Sequence, residues 1–82
     1  MEKEYFNFLL NAIERAEFLS SIPNTILVQD QIVYPVIVVY EEQNQYVIDQ
    51  LNYSYTEPSP VPSSVPLEHT HVYWRGTLWV LQ

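Results

Sequence analysis

The sequence predicts an α+β domain: one N-terminal amphipathic helix packed on a three- to five-stranded, mainly antiparallel sheet. Three observations lead there. A helical stripe runs from Glu2 to about Ser20, an almost unbroken apolar run covers Ile32 to Tyr40, and tyrosine and tryptophan gather in short extended segments downstream. The chain's 82 residues, 1–82, make a single small domain near the lower size limit for independent folding.

The helix is read from Tyr5, Phe6, Leu9, Ala12, Ile13, Ala16 and Leu19, which share one stripe at 100° per residue, with Lys3, Glu4, Asn7, Asn11 and Glu14 opposite. Phe8 sits at the stripe's margin. Phe18 projects to the polar side, which calls either for later chain folding over it or for an exposed aromatic anchor. Ser20-Ser21-Ile22-Pro23-Asn24 ends the helix, because a residue before proline is pushed toward extended geometry. Thr25 to Val28 reads as a short strand, and Gln29-Asp30-Gln31 as a tight turn without the glycine that usually supports one.

Eight of the nine residues from Ile32 to Tyr40 are aliphatic or aromatic, so this strand asks for apolar cover on both faces. One helix covers one face. The other face therefore argues for a partner. Pro35 cannot donate to a ladder and predicts a bulge or an edge. Glu41 to Gln45 is a five-residue polar loop leading to a strand from Tyr46 to about Tyr55, with Tyr46, Ile48 and Gln50 on one face and Val47, Asp49 and Leu51 on the other. The segment 57–66 holds four prolines and three serines and is expected to be an extended crossing loop. His69 to Leu81 reads either as a hairpin turning at Arg75-Gly76 or as one strand, and the single strand is the slightly favoured reading.

The formal charge of −7 comes from ten acids set against only Lys3, Arg15 and Arg75. Direct nucleic-acid binding is excluded, since it rests on Lys/Arg contacts to phosphate, and an anionic membrane surface is disfavoured for the same reason. No apolar stretch approaches the roughly 20 residues of a membrane span, and the N-terminus lacks a signal-peptide pattern. A cytoplasmic protein is expected, or one working in a host's cytoplasm if the source is viral. Cysteine is absent, so neither disulfides nor thiolate metal sites reinforce the fold, and association is the remedy left for a small core.

Little in the sequence carries chemistry. Glu68-His69-Thr70-His71 has metal-ligand residue types, but two histidines on one strand face are too few for a site, and no metal or cofactor is expected. A single glycine excludes phosphate-cradling loops, no serine has a nucleophile-elbow context, and Glu41-Glu42 reads as a solvated turn. An enzyme is not expected. The aromatic surplus points instead to a protein-binding patch drawn from Tyr34, Tyr40, Tyr53, Tyr55, Tyr73, Trp74 and Trp79, since a chain this small cannot bury them all. The function this implies is a small acidic interaction module that binds a protein partner or itself as a homodimer. The alternative is a phage- or virus-type inhibitor that presents its acidic surface to a host nucleic-acid-handling protein.

Overall fold

A computed structural model describes residues 2–54 and 71–79. Among them one helix lies on a six-stranded, antiparallel sheet, so the α+β expectation holds with a slightly higher strand count. The elements in chain order are β1 (Glu4–Phe6), α1 (Leu9–Leu19), a 3₁₀ turn (Ile22–Asn24), β2 (Ile26–Val28), β3 (Gln31–Glu42), β4 (Gln45–Ser54), β5 (His71–Trp74) and β6 (Thr77–Trp79). The spatial order is β1-β4-β3-β5-β6, with β2 also paired to β3. No helix among the described residues is long and apolar enough to cross a membrane.

Strand β3 organises the rest. Its odd-numbered residues face α1, where Ile37 and Val39 join Ile48, Tyr73, Ala12 and Ala16 in one buried cluster. Its even-numbered residues Val36, Val38 and Tyr40 join Val47, Val72 and Trp74 in a second cluster on the far face. Ala12 and Ala16 are one helical turn apart and fully buried; side chains that small let the helix axis lie close to the sheet. The far-face cluster alters the expectation that this surface needs an outside cover. Val38 and Val72 are 1 % exposed and Val47 0 %, with Tyr34, Leu51 and Trp79 packed against them, all within one chain.

Pro35 meets the expected bulge. It pairs with Tyr53, and the register then slips, so that Ile37 pairs with Gln50; Leu51 and Asn52 on β4 stand opposite Val36 alone. Leu51 therefore keeps the face of Val47 and Asp49, as the alternation requires.

Three sequence readings are corrected. The helix does not begin at Glu2: Glu4–Phe6 forms edge strand β1 against Tyr46–Ile48, and the chain bends at Asn7 and Phe8 before α1 starts. Phe6 and Glu4 then face α1, where Glu4 meets Arg15 in a 3.0 Å ion pair, while Tyr5 faces away. The polar loop shrinks from five residues to Gln43-Asn44, because β3 and β4 pair out to Glu42 and Gln45. Residues 71–79 form the hairpin rather than the single strand, turning at Arg75-Gly76.

Among the described residues, all three two-residue hairpin turns have positive φ at both central residues: Gln29 (49°) and Asp30 (64°), Gln43 (50°) and Asn44 (63°), Arg75 (56°) and Gly76 (75°). These primed turns match the strand twist but suit Gly, Asn and Asp. The lone glycine occupies a position where a side chain would also be tightly placed. A Cβ at Gly76 would stand 3.3 Å from the Ser21 Cβ.

The same turn is pinned to the helix. The Gly76 amide donates to Ser20 Oγ at 3.1 Å, and Ser20 Oγ donates to the Glu17 carbonyl at 3.2 Å. Ser20 is completely buried, so this hydroxyl satisfies both groups where water cannot reach it. Ser21 Oγ and Asn24 Nδ2 both donate to the Phe18 carbonyl, accounting for another of the free helix-end acceptors.

Two stability outcomes are expected. Asn44→Gly relieves a left-handed non-glycine position and should raise stability by about 0.5–1 kcal/mol, or roughly 4 °C in thermal midpoint. Ser20→Ala strands the Gly76 amide and should lower it by about 1–3 kcal/mol. Thermal denaturation followed by circular dichroism checks both; a neutral Ser20→Ala would show that the pin contributes nothing.

Candidate functional site

The aromatic residues singled out from the sequence divide among three places. Tyr34, Trp74 and Trp79 meet on the far face. Trp74 stands edge-on to Trp79 with ring centroids 5.4 Å apart, and to Tyr34 at 6.2 Å. The Arg75 guanidinium lies over both Tyr34 (5.1 Å) and Trp74 (4.9 Å), close enough for cation–π attraction to each ring. Trp74 is only 5 % exposed, so within this cluster Tyr34 and Trp79 supply the accessible ring surface. Its buried Nε1 has no hydrogen-bond partner among the described residues.

Tyr40 lies on the same face but is 9 % exposed; the Lys3 ammonium stands 5.9 Å from its ring centroid. Hydrogen bonding to Tyr40, and then the Tyr40 charge, holds the Lys3 pKa above the usual lysine value. Tyr73 is on the opposite face, beneath α1, and 3 % exposed. Its ring fills the helix–sheet interface. Burial first, and the neighbouring Glu17 carboxylate second, push its phenol up from the ordinary tyrosine value. Tyr53 also faces the helix side, where its hydroxyl donates to the Asn24 carbonyl at 3.3 Å and its ring remains 36 % exposed. Tyr55 and the Pro/Ser-rich segment 57–66 lie outside the described residues, as does His69.

A concave feature among the described residues is small. Leu9, Val39, Glu41, Tyr46 and His71 line a depression of about 130 Å³ between the start of α1 and the sheet. His71 Nδ1 is buried there without a partner among the described residues. Glu41 and His71 are its two side chains of metal-ligand type, and no group of three such residues occurs among the described residues.

A second surface was not anticipated. Beyond Tyr34, the partner of β3 among the described residues is β2, giving a short hairpin arm: Ile26 opposite Val33, Leu27 opposite Ile32, Val28 opposite Gln31. Val33 is fully buried toward the helix side, whereas Leu27 and Ile32 face the other way and are 69 % and 65 % exposed. By strand alternation Ile32 shares its face with Tyr34. The exposed aliphatic pair therefore continues directly into the Tyr34–Trp79 cluster. On the helix side, Phe18, Ile22 and Ile26 are also exposed, and Arg15 rests over the Phe18 ring at 5.5 Å. The signal for the arm was present in the sequence as Ile26-Leu27-Val28 followed by a tight turn. Treating Ile32 as part of a wholly buried run concealed it.

Comparison with protein-family models, with curated proteins and with solved structures returned no match to this chain. The surface must be read on its own chemistry.

The raised Tyr73 phenol has a testable consequence. The unfolded chain ionises it near pH 10, before the folded protein does, so its contribution is complete below that pH and is lost as pH rises toward the folded-state value. Replacing Tyr73 by Phe should change the pH profile accordingly: in urea titrations at pH 8 and pH 11, the variant's stability relative to the parent should improve at the higher pH. Parallel pH profiles would show that Tyr73 is not the group responsible.

Proposed function

We propose that this chain is a non-enzymatic protein-interaction module whose contact surface is the far face of the β2–β3 arm, continued by Tyr34 and Trp79. The observation that carries this reading is the directly paired Leu27 and Ile32, both about two-thirds exposed. Full burial of each would contribute roughly 1.5–3 kcal/mol, so their exposure leaves several kcal/mol unused in a domain whose whole stability is on the order of 5–15 kcal/mol. Contiguous exposed apolar surface of this kind marks contact sites on soluble domains.

The aromatic end adds rigid surface. Tyr34 is held by Trp74 on its edge and by Arg75 over its ring, so little side-chain freedom is lost when a partner covers it. The arm carries the reading in preference to the acidic surface because the exposed carboxylates Glu41 and Glu42 lie at the other end of β3, where they favour solubility.

A photoreactive phenylalanine analogue at position 27, tested in extract of the native host, should form adducts with protein, and the same analogue at Glu42 should not. The double variant Leu27→Thr/Ile32→Thr keeps strand propensity and should stay within about 0.5 kcal/mol of the parent in stability while losing association at least tenfold. No protein adduct at position 27 would overturn the reading.

A further inference from the structure

Resting on that reading, we infer that the occupant of the arm's far face is a second copy of this chain, the two arms packing across a two-fold axis beside Leu27 and Ile32. The first argument is the distribution of charge. The sequence has thirteen charged residues, three basic and ten acidic, yet from Phe18 to Tyr40 only Asp30 is charged. Two chains of net charge −7 repel wherever their carboxylates come close. The arm's far face is an exposed apolar surface, directly paired in Leu27 and Ile32, where they can meet with little of that cost. A basic foreign partner would gain most from the acidic surface, whereas the arm offers one acid, Asp30 in its turn, with Arg75 over the Tyr34 ring beside it.

Distance supports the same choice. From Ile32 to Glu41 the strand advances about 30 Å, several times the roughly 8 Å screening length at physiological salt. Copies joined by their arms therefore keep the Glu41-Glu42 ends out of each other's field. An isologous contact also sets each patch against itself, and an aliphatic pair such as Leu27 and Ile32 is self-complementary without any need for charge pairing.

The area sets the strength. Leu27 and Ile32, with the accessible parts of Tyr34 and Trp79, offer side-chain surface on the order of 300 Å² per copy. The total falls short of the roughly 1,000 Å² of a stable interface. The dimer should therefore belong to the weak, transient class of contacts.

Sedimentation equilibrium of the full chain from micromolar to millimolar concentration should show monomer passing to dimer. Leu27→Thr/Ile32→Thr should weaken the association at least tenfold with an unchanged far-ultraviolet spectrum. Raising salt from low to high should leave association unchanged or strengthen it. Because the natural chain has no cysteine, single-cysteine variants report proximity cleanly. Under mild oxidation Ile32→Cys should form the disulfide-linked dimer at least tenfold faster than Glu42→Cys. A strict monomer at millimolar concentration, a dimer indifferent to the Thr variant, a dimer dissolved by salt, or equal oxidation rates would each overturn the inference. If position 27 still forms adducts with a different protein, only the second copy is wrong. If it forms none, the interaction reading falls as well.

Discussion

Everything in this fold is arranged around burying β3 on both faces. Val33, Val36, Ile37, Val38 and Val39 are each at most 5 % exposed. At roughly 1.5–3 kcal/mol apiece, these five side chains contribute on the order of 10 kcal/mol, comparable with the net stability of a whole domain. The same strand pairs with β2, β4 and β5, so its hydrogen bonds and its side chains are committed together. A one-residue slip against β4 would turn Val47 and Ile48 each to the wrong face. Among the described residues, the bulge opposite Val36 is the single departure from regular pairing, and it lies beside Pro35, whose nitrogen has no hydrogen to offer a neighbour.

That commitment explains how glycine is used. Three tight hairpins need six left-handed residues, and the chain has one glycine. It stands at Gly76, where the turn approaches the end of α1 so closely that any Cβ would press on Ser21. At the two turns flanking β3, Asp30 and Asn44 take the second position, and these are among the residue types that tolerate positive φ best. The cost of Gln29, Gln43 and Arg75 is about 1–2 kcal/mol each, small against the burial that the turns make possible.

Much of this was legible in the sequence. The alternation of Tyr46–Leu51, the bulge at Pro35 and the helical face of Ala12 and Ala16 each follow from a period that side chains must obey. The misread parts share a different cause. Tyr5 and Phe6 satisfy a helical stripe as well as a strand, and only the unpaired edge of β4, which is a tertiary fact, decides between them. Gln43-Asn44 has no glycine, so composition lengthened the loop. At Arg75-Gly76, alternation on either side is preserved across a two-residue turn, which makes a hairpin and a long strand look alike. In each case the deciding contact is distant in the chain: β4 for β1, and Ser20 for Gly76.

That Tyr40, Tyr73 and Trp74 are buried has a further reason, and it concerns size. Aromatic side chains are the usual mark of a contact site, so the sequence pointed to Tyr40, Tyr73 and Trp74. In a sheet covered by a single helix, however, the interior must be filled by few residues, and rings bury more area per residue than any aliphatic side chain. Tyr73 fills the space under α1, and Trp74 fills the far face. What remains outside is set by how far the sheet extends. Among the described residues, β3 has the three residues of β2 beside it at the arm, and Leu27 and Ile32 stay about two-thirds exposed on the far face. Exposure there follows from topology and cannot be read from residue type. In this sheet the rings of Tyr73 and Trp74 go to the core and the peripheral aliphatics Leu27 and Ile32 stay exposed, with Tyr34 and Trp79 at the boundary between the two.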